Sequence, residues 1–430
     1  MKRVSFFKSV KIGLLAMILT GLSCSQAQDV TGTWDGVLNV QGMKLKIVLH
    51  IDKTDAGYTS KMDSPDQGAF GIPATKTTFD GSKLSVEISN IGMTFEGTHK
   101  PNSIEGTFKQ GGMSFPLTLA RVVEAKADTM PQSNTNEDEI VLNINGFNIY
   151  GTLKVPETKE KVPVVLIIAG SGPTDRNCNS PMMTSNSYKM LADALLSNGI
   201  ATLRYDKRGI AKSISEQKEE DLRFEHYVED AKGWINLLSE NKQFSEIIVA
   251  GHSEGSLIGM IACTNNPKVS KFISVAGVGV PADEILKEQL SKNLAGMPDM
   301  KTKVFSYIDE LKQGRPVKDV PQDLYSLFRP SVQPYMISWL KYNPQEEIKK
   351  LNIPNLIVQG TVDVQVSVNE AELLSKANPN AKKVIVENMD HVLKNSKSMD
   401  MNEQMKNSYN NPNSPINKEL VEAIVDFVKK

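Results

Sequence analysis

A serine, an aspartate and a histidine, which together can activate a serine hydroxyl, each follow a predicted strand in this chain. Ser253 lies in Gly-His-Ser-Glu-Gly at 251–255, Asp363 in Gly-Thr-Val-Asp at 360–363 and His391 in Asn-Met-Asp-His at 388–391. A histidine can take the proton of a serine hydroxyl, and a carboxylate can hold the histidine in the tautomer that does so. The combination therefore predicts nucleophilic attack on a carbonyl carbon.

The serine lies between a predicted strand and a predicted helix. An apolar run at 247–250 precedes the pentapeptide, and small and apolar residues follow it as far as Cys263. In a strand–turn–helix with the pattern G-x-S-x-G, the serine backbone is strained and the chain packs tightly around it. Taken alone, the pentapeptide also fits an ordinary strand-to-helix turn, but its flanks favour a nucleophile.

The base and the acid follow from chain order. His391 is the only histidine C-terminal to Ser253, because the other four lie at 50, 99, 226 and 252. His252 adjoins the serine, and its side chain is expected to point away from it. Asp363 follows the predicted strand 355–360. Asp390 is the rival acid, but its adjacency to His391 makes a bond to that ring awkward.

A glycine-rich segment follows the apolar strand predicted at 162–169. It reads Gly-Ser-Gly-Pro-Thr-Asp-Arg-Asn at 170–177. Main-chain N–H groups after such a strand and after the nucleophile can bind a developing oxyanion. We predict that Ser171 and Glu254 supply these donors; a glycine turn without a ligand is the alternative.

Strands alternate with helices over residues 139–430, which predicts a mostly parallel sheet covered by helices. Asp206 and Arg208, within Arg-Tyr-Asp-Lys-Arg-Gly at 204–209, are expected to brace their loop. Residues 281–350 carry helical patterns broken by proline and glycine, which indicates a helical lid. Four of its apolar side chains are candidates for binding an acyl group, with packing inside the lid as the alternative for each: Phe328, Tyr335, Met336 and Trp339.

The residues before this region have a different pattern. Residues 28–123 alternate apolar and polar side chains between turn signals, which predicts six to eight antiparallel strands in a small all-β barrel or sandwich. Gly-Thr-Trp at 32–34 resembles the start of lipocalin-like barrels. A packing or substrate-orienting accessory module is favoured over a ligand carrier. The polar stretch 124–138 has the composition of a linker.

Residues 1–27 have the form of a secretion signal, with basic residues before an apolar core at 12–22. Ser-Gln-Ala at 25–27 predicts cleavage to a soluble product. Gly-Leu-Ser-Cys at 21–24 instead predicts a lipid anchor on Cys24, and the soluble product is slightly favoured. Either route predicts export, to the periplasm or outside the cell, in the second case as a membrane-anchored lipoprotein.

Composition excludes other classes of function. The 430 residues include 40% hydrophobic and 23% charged side chains, and the formal net charge is −1, so no strong field attracts nucleic acid. The sequence has no metal-binding spacing of cysteine or histidine, and we predict neither a metal nor a cofactor. Cys178 and Cys263 are expected to be free thiols, a disulfide between them being the alternative.

Residues 139–430 resemble the α/β-hydrolase superfamily, specifically exported bacterial esterases near the serine aminopeptidase-like group. The resemblance rests on the motifs at 169–177, 204–209, 251–255 and 360–366. Ala169 departs from a frequent histidine and Ala211 from a frequent glycine. The resemblance implies hydrolysis of small carboxylic esters with short to medium acyl chains. A serine peptidase and a thioesterase stay open, as does a non-catalytic protein that binds through its β domain. The sequence sets no oligomeric state.

Overall fold

A computed structural model describes residues 29–40, 43–55, 57–64, 69–122, 137–181, 183–214 and 217–430. The chain divides into two compact units, Met1–Lys126 and Ala127–Lys430. The predicted signal segment with Cys24, and the linker up to residue 136, lie outside the described residues. Among the helices that are described, none has the length and apolar character needed to cross a membrane.

The described part of the first unit is an antiparallel β-barrel. Strand β2 pairs with both β1 and β3, which closes a ring of eight strands, and β4 pairs with β3 outside that ring. The predicted all-β domain is therefore confirmed, as a barrel rather than a sandwich. Its strands are β1 Gly32–Val40, β2 Met43–Thr54, β3 Gly57–Ser64, β4 Ala69–Pro73, β5 Lys76–Phe79, β6 Lys83–Ile88, β7 Met93–Lys100, β8 Ser103–Gln110 and β9 Met113–Arg121.

Apolar side chains fill the barrel. Trp34 is fully buried, its indole N–H donates to the Val30 carbonyl at 2.8 Å, and the Arg121 guanidinium lies 4.3 Å from the ring. His99, in strand β7, is buried edge-on against Trp34, with ring centroids 5.3 Å apart. Small barrels commonly have such a packed interior.

The second unit is built on an eight-stranded sheet in the order β10-β11-β15-β12-β16-β17-β18-β19. The pairings from β15 to β19 are parallel, whereas β10 and β11 are antiparallel, which confirms the mostly parallel sheet. Strand β10 begins two residues before the predicted domain start at 139. The strands are β10 Glu137–Ile144, β11 Phe147–Lys154, β12 Val162–Ile168, β15 Ala201–Tyr205, β16 Phe244–His252, β17 Lys271–Val275, β18 Asn355–Gly360 and β19 Lys382–Val386, with a separate two-stranded ladder of β13 Asn179–Ser180 and β14 Met183–Thr184.

Helices cover both faces of this sheet, so its central strands are apolar on both sides. Helices α2 and α3 contribute to the core on one face, and α1 and α11 to the core on the other. Residues 276–354, between β17 and β18, form a helical insertion with an apolar cluster of its own. The helices are α1 Ser187–Ser197, α2 Phe224–Glu240, α3 Glu254–Cys263, α4 Ala282–Asn293, α5 Pro298–Lys312, α6 Tyr325–Phe328, α7 Gln333–Trp339, α8 Pro344–Lys349, α9 Val368–Ala377, α10 Met401–Gln404 and α11 Lys418–Lys429.

Candidate active site

Ser253 occupies the turn between β16 and α3. Its backbone angles are φ 53° and ψ −122°, a strained conformation for a residue with a side chain. Its N–H donates to the Val275 carbonyl at 3.0 Å, which ties the turn to the neighbouring strand β17. The strain and the strand–turn–helix context are those of a nucleophile elbow.

The glycines on either side of Ser253 are required by close contact. A Cβ atom at Gly251 would lie 2.2 Å from the carbonyl oxygen of Gly255. A Cβ atom at Gly255 would lie 2.4 Å from the carbonyl oxygen of Ile168. Both obstacles are main-chain atoms that no side-chain rotation can move, so the turn packs at this density only with glycine at both positions.

Asp363 and His391 are brought together by the loops after β18 and β19. The His391 Nδ1 atom lies 2.8 Å from Asp363 Oδ2, and both side chains are buried. Burial alone would raise the pKa of Asp363. The neighbouring His391 and the N–H groups of Gln365 and Val366, each 2.8 Å from Oδ1, instead hold that pKa below its usual value. The ionised carboxylate favours the tautomer with the proton on Nδ1, which leaves Nε2 of His391 free to act as a base.

The rival carboxylate of Asp390 has a different partner. Its Oδ1 accepts the N–H of Lys394 at 3.0 Å, and burial raises its pKa. The acid chosen from the sequence, Asp363, is thus the one whose carboxylate contacts the His391 ring.

His252, the last residue of β16, connects helix α1 to the loop after β19. Its Nδ1 lies 2.8 Å from the Tyr188 hydroxyl and its Nε2 lies 2.8 Å from the His391 carbonyl oxygen. Burial, followed by the nearby His391, lowers the pKa of His252 to about 3, so the ring is neutral. Nε2 therefore donates to the carbonyl and Nδ1 accepts from Tyr188, whose oxygen also accepts the Gly170 N–H at 3.3 Å. Sequence reasoning predicted only the direction of this ring, not its partners.

The predicted oxyanion donors flank the serine. Ser171 and Glu254 line one cavity together with Ser253. The glycine-rich loop passes close to the elbow, since a Cβ at Gly170 would lie 3.0 Å from the Ser253 Cβ. Within the described residues, the N–H groups of Ser171 and Glu254 have no hydrogen-bond acceptor. The Glu254 N–H is also the first of helix α3, where unpaired amides and the helix dipole favour negative charge.

The cavity is mainly apolar and contains about 570 Å³, including open space at its mouth. Its walls come from α3, the segment before α4, α4 itself, and the ends of α7 and α8. The apolar lining residues are Leu257, Val278, Val280, Ala282, Ile285, Leu286, Trp339, Pro344 and Val366.

Of the four predicted acyl-binding residues, Trp339 lines this cavity. Phe328 and Met336 are instead buried in the apolar cluster of the insertion, so the structure assigns them to packing. Tyr335 packs between Tyr227 and Trp339, and its hydroxyl donates to the Glu254 carboxylate. The sequence pattern of the insertion did not distinguish side chains that pack inside the insertion from side chains that line the cavity.

Two ion pairs confirm that Asp206 and Arg208 brace their loop. Asp206 accepts two bonds from the Arg176 guanidinium, at 3.0 and 2.7 Å, and Arg208 contacts Asp230 at 2.5 and 3.2 Å. All four side chains are buried. Ala211 follows with φ 47°, which glycine adopts with less strain.

Cys178 and Cys263 are free thiols, as predicted, and both are buried. Burial raises the pKa of the Cys178 thiol to about 12, which makes it a poor nucleophile. Across the described residues, no group of three His, Cys, Asp or Glu side chains is arranged to hold a metal ion.

Comparison of the sequence with known proteins finds similarity to a protein family and to an esterase. Residues 182–333 match the family described as serine aminopeptidase, S33, a span that includes the elbow but ends before Asp363 and His391. Esterase EstD of Thermotoga maritima is 25% identical over 290 residues, which cover 66% of this chain. The chain spans 66% of the length of that relative.

Solved structures with a similar arrangement include Est1E from Butyrivibrio proteoclasticus. It is 16% identical with a TM-score of 0.44, covering 68% of this chain and 97% of that one. The Pyrococcus furiosus esterase PF2001 is 15% identical with a TM-score of 0.47, covering 69% of this chain and 90% of that one. The sheet order and the elbow are those of the α/β-hydrolase fold, and the family match includes that elbow.

Proposed function

We propose that this protein hydrolyses carboxylic esters with short to medium acyl chains through Ser253, His391 and Asp363. His391 takes the proton of the Ser253 hydroxyl as its oxygen attacks the ester carbonyl carbon. The tetrahedral oxyanion accepts the N–H groups of Ser171 and Glu254. His391 then protonates the departing alkoxide, and water, activated by the same base, hydrolyses the acyl-enzyme.

The observation that carries this proposal is the Asp363–His391 hydrogen bond of 2.8 Å. In the same unit, Ser253 has a strained backbone and lines a mainly apolar cavity. An apolar wall suits a hydrocarbon acyl chain. The name of the Thermotoga maritima relative, esterase EstD, agrees with this activity.

A serine peptidase is the second candidate, because the matching family is described as a serine aminopeptidase and Glu254 lines the cavity. A free carboxylate there could bind a peptide amine. Against this role, the Glu254 carboxylate already accepts a hydrogen bond from the Tyr335 hydroxyl. Ester hydrolysis needs no such anionic subsite.

The test compares the wild type with Ser253→Ala on p-nitrophenyl acetate, butyrate and octanoate and on an aminoacyl p-nitroanilide. The matched control is Ser256→Ala. Ser256 is a buried serine in helix α3, directly after the elbow, and its hydroxyl lies 2.7 Å from that of Ser274. Ester turnover lost in Ser253→Ala and kept in Ser256→Ala supports the proposal. Cleavage of the anilide in preference to the esters supports the peptidase instead, and wild-type inactivity on all four substrates contradicts both.

We further propose that the chain is exported, on the basis of the signal-like residues 1–27. Cell fractionation of the full chain tests export, and palmitate labelling of the wild type beside Cys24→Ala distinguishes the lipid-anchored product from the soluble one. Recovery of all the protein in the cytoplasm, at its unprocessed mass, would contradict export.

A further inference from the structure

A buried lysine lies behind the predicted oxyanion site. Lys207 is 2% exposed, whereas lysine is rarely so buried without a paired charge. Its sequence neighbours do not supply that charge, because Asp206 is paired with Arg176 and Arg208 with Asp230. In the described part of the chain, no carboxylate lies within 4.0 Å of the Lys207 ammonium.

The ammonium has two contacts. Nζ donates a hydrogen bond to the Gly170 carbonyl oxygen and lies 5.2 Å from the centre of the Tyr227 ring. A cation above an aromatic face is attracted by its π electrons. Burial lowers the pKa of Lys207, and the buried Glu254 opposes that change, so Glu254 favours the charged form.

The acceptor of this bond belongs to the same peptide group as a predicted oxyanion donor. The Gly170 carbonyl and the Ser171 N–H are the two ends of one trans peptide. In a planar trans peptide these ends point in opposite directions. Since the carbonyl points to Lys207, the N–H points away from it, on the side where Ser171 lines the cavity with Ser253.

Hydrogen bonds to the two ends of a peptide reinforce each other. A cation at the carbonyl draws electrons from the amide nitrogen, which strengthens the N–H as a donor, and low dielectric surroundings increase the effect. The preceding amide is also fixed, since the Gly170 N–H donates to the Tyr188 hydroxyl. The peptide is thus held in one orientation before any substrate binds.

We propose that Lys207 is a positioning residue for ester hydrolysis, which orients and polarises the Gly170–Ser171 peptide so that the Ser171 N–H binds the oxyanion strongly. This role rests on the proposed function. It acts on the transition state, where charge develops on the carbonyl oxygen, rather than on the binding of the neutral ester. It therefore predicts an effect on kcat and not on KM.

The experiment compares the wild type with Lys207→Met and Lys207→Gln. The first variant removes both charge and donor, and the second keeps a neutral donor. Lys154→Met is the control, because Lys154 is also buried but pairs with Glu137 and Asp193. Each protein is assayed with p-nitrophenyl butyrate and titrated with an alkyl trifluoromethyl ketone. Attack of the Ser253 oxygen on the ketone carbonyl carbon gives a hemiketal oxyanion, which resembles the tetrahedral intermediate. Circular dichroism and thermal melting verify folding.

Lys207→Met should lower kcat by about 10- to 100-fold, less than the loss of a whole oxyanion donor, with KM nearly unchanged. The ketone affinity should fall by the same factor, with a smaller loss in Lys207→Gln. A folded Lys207→Met that keeps its ketone affinity overturns the role, whether or not kcat falls. If Lys207→Met does not fold, Lys207→Gln decides in the same way. A wild type without Ser253-dependent turnover would instead refute the proposed function itself.

Discussion

Nδ1 of His391 lies 2.8 Å from Oδ2 of Asp363, although 28 residues separate the two in the chain. The other carboxylate oxygen is held by the N–H groups of Gln365 and Val366, so the acid cannot turn away from the ring. The loop after β18 thus fixes the acid, and the acid fixes the tautomer of the base. In the proposed mechanism, we therefore expect loss of the Asp363 carboxylate to abolish most of the turnover.

Asp363→Asn should lower kcat for p-nitrophenyl butyrate by about 10³- to 10⁴-fold. An amide carries no charge to stabilise the imidazolium, and its NH₂ group favours the tautomer with the proton on Nε2. Steady-state kinetics at neutral pH measure the effect, with circular dichroism to verify the fold.

Asp390→Asn is the matched control. Its amide oxygen can still accept the Lys394 N–H, which lies 3.0 Å from Oδ1 in the wild type. This variant should therefore retain most of the wild-type kcat. Equal losses in the two variants would mean that Asp363 is not the acid partner of the base.

The contact between Asp363 and His391 was predictable because each residue follows a short apolar run typical of a strand. The carboxyl ends of parallel strands meet at one edge of a sheet, so residues far apart in the chain become neighbours in space. The bonds made by Lys207 and His252 were not predictable. Each joins segments that are far apart in the chain, and no local pattern encodes which partner a buried side chain reaches.

The barrel shows a similar limit. Strands such as β7 alternate apolar and polar side chains, so a sequence pattern can predict them. Strand β3 does not, because two of its inward positions are Ser60 and Ser64, with Met62 between them. Serine in the interior removes the alternation on which the prediction depends. Closure of the ring through β2 and β3 places these residues inside.

Trp339→Ala should shift the acyl-chain preference toward longer esters. The indole lines the cavity, and its removal enlarges the space next to Leu257 and Pro344. Each additional buried methylene contributes about 0.8 kcal/mol. We therefore expect the ratio of kcat/KM for p-nitrophenyl octanoate to that for butyrate to rise by roughly tenfold, on the scale of one or two methylenes. A full chain-length series measures it.

Phe328→Ala is the control for that change. Phe328 is fully buried in the insertion but does not line the cavity, so its truncation leaves a void in the packing. Loss of such a ring costs about 3–5 kcal/mol of stability. The octanoate-to-butyrate ratio should stay near the wild-type value while urea unfolding shifts to lower concentration. If the ratio shifts as it does in Trp339→Ala, the assignment of Phe328 to packing is wrong.

Gly255→Ala should disrupt the elbow. Its Cβ would lie 2.4 Å from the Ile168 carbonyl oxygen and 2.6 Å from that of Ala169, so α3 must move away from β12. Since Ser253 lies directly before α3, the nucleophile moves with it. We expect a lower melting temperature and loss of most ester turnover.

Gly296→Ala gives the comparison, because a Cβ at Gly296 meets no described atom within 4 Å. Alanine there reduces the freedom of the unfolded chain, which leaves stability unchanged or slightly higher. Activity should equal that of the wild type. A Gly255→Ala protein with normal melting and turnover would show that the elbow tolerates a side chain.

His252 should make the unfolding free energy of the hydrolase unit depend on pH. Its pKa is about 3 in the folded protein, against an ordinary value of 6.5. Between those values the unfolded chain binds a proton that the folded protein does not, so stability falls as the pH falls. This contribution amounts to at most about 1.4 kcal/mol per pH unit. His252→Gln binds no proton at this position and should lack this pH dependence. The wild type loses stability from pH 7 to pH 4 and the variant does not, so the difference between their unfolding free energies should narrow over that range.

Tyr188→Phe separates this effect from the loss of a hydrogen bond. The phenyl ring removes the donor to Nδ1 but leaves the imidazole buried, so the pH dependence should remain while stability drops by about 1 kcal/mol at every pH. Urea unfolding of the three proteins at pH 4, 5.5 and 7 measures both quantities. A gap between His252→Gln and the wild type that stays constant with pH would mean that the folded and unfolded chains bind a proton at His252 alike, so that folding does not lower the pKa of this ring.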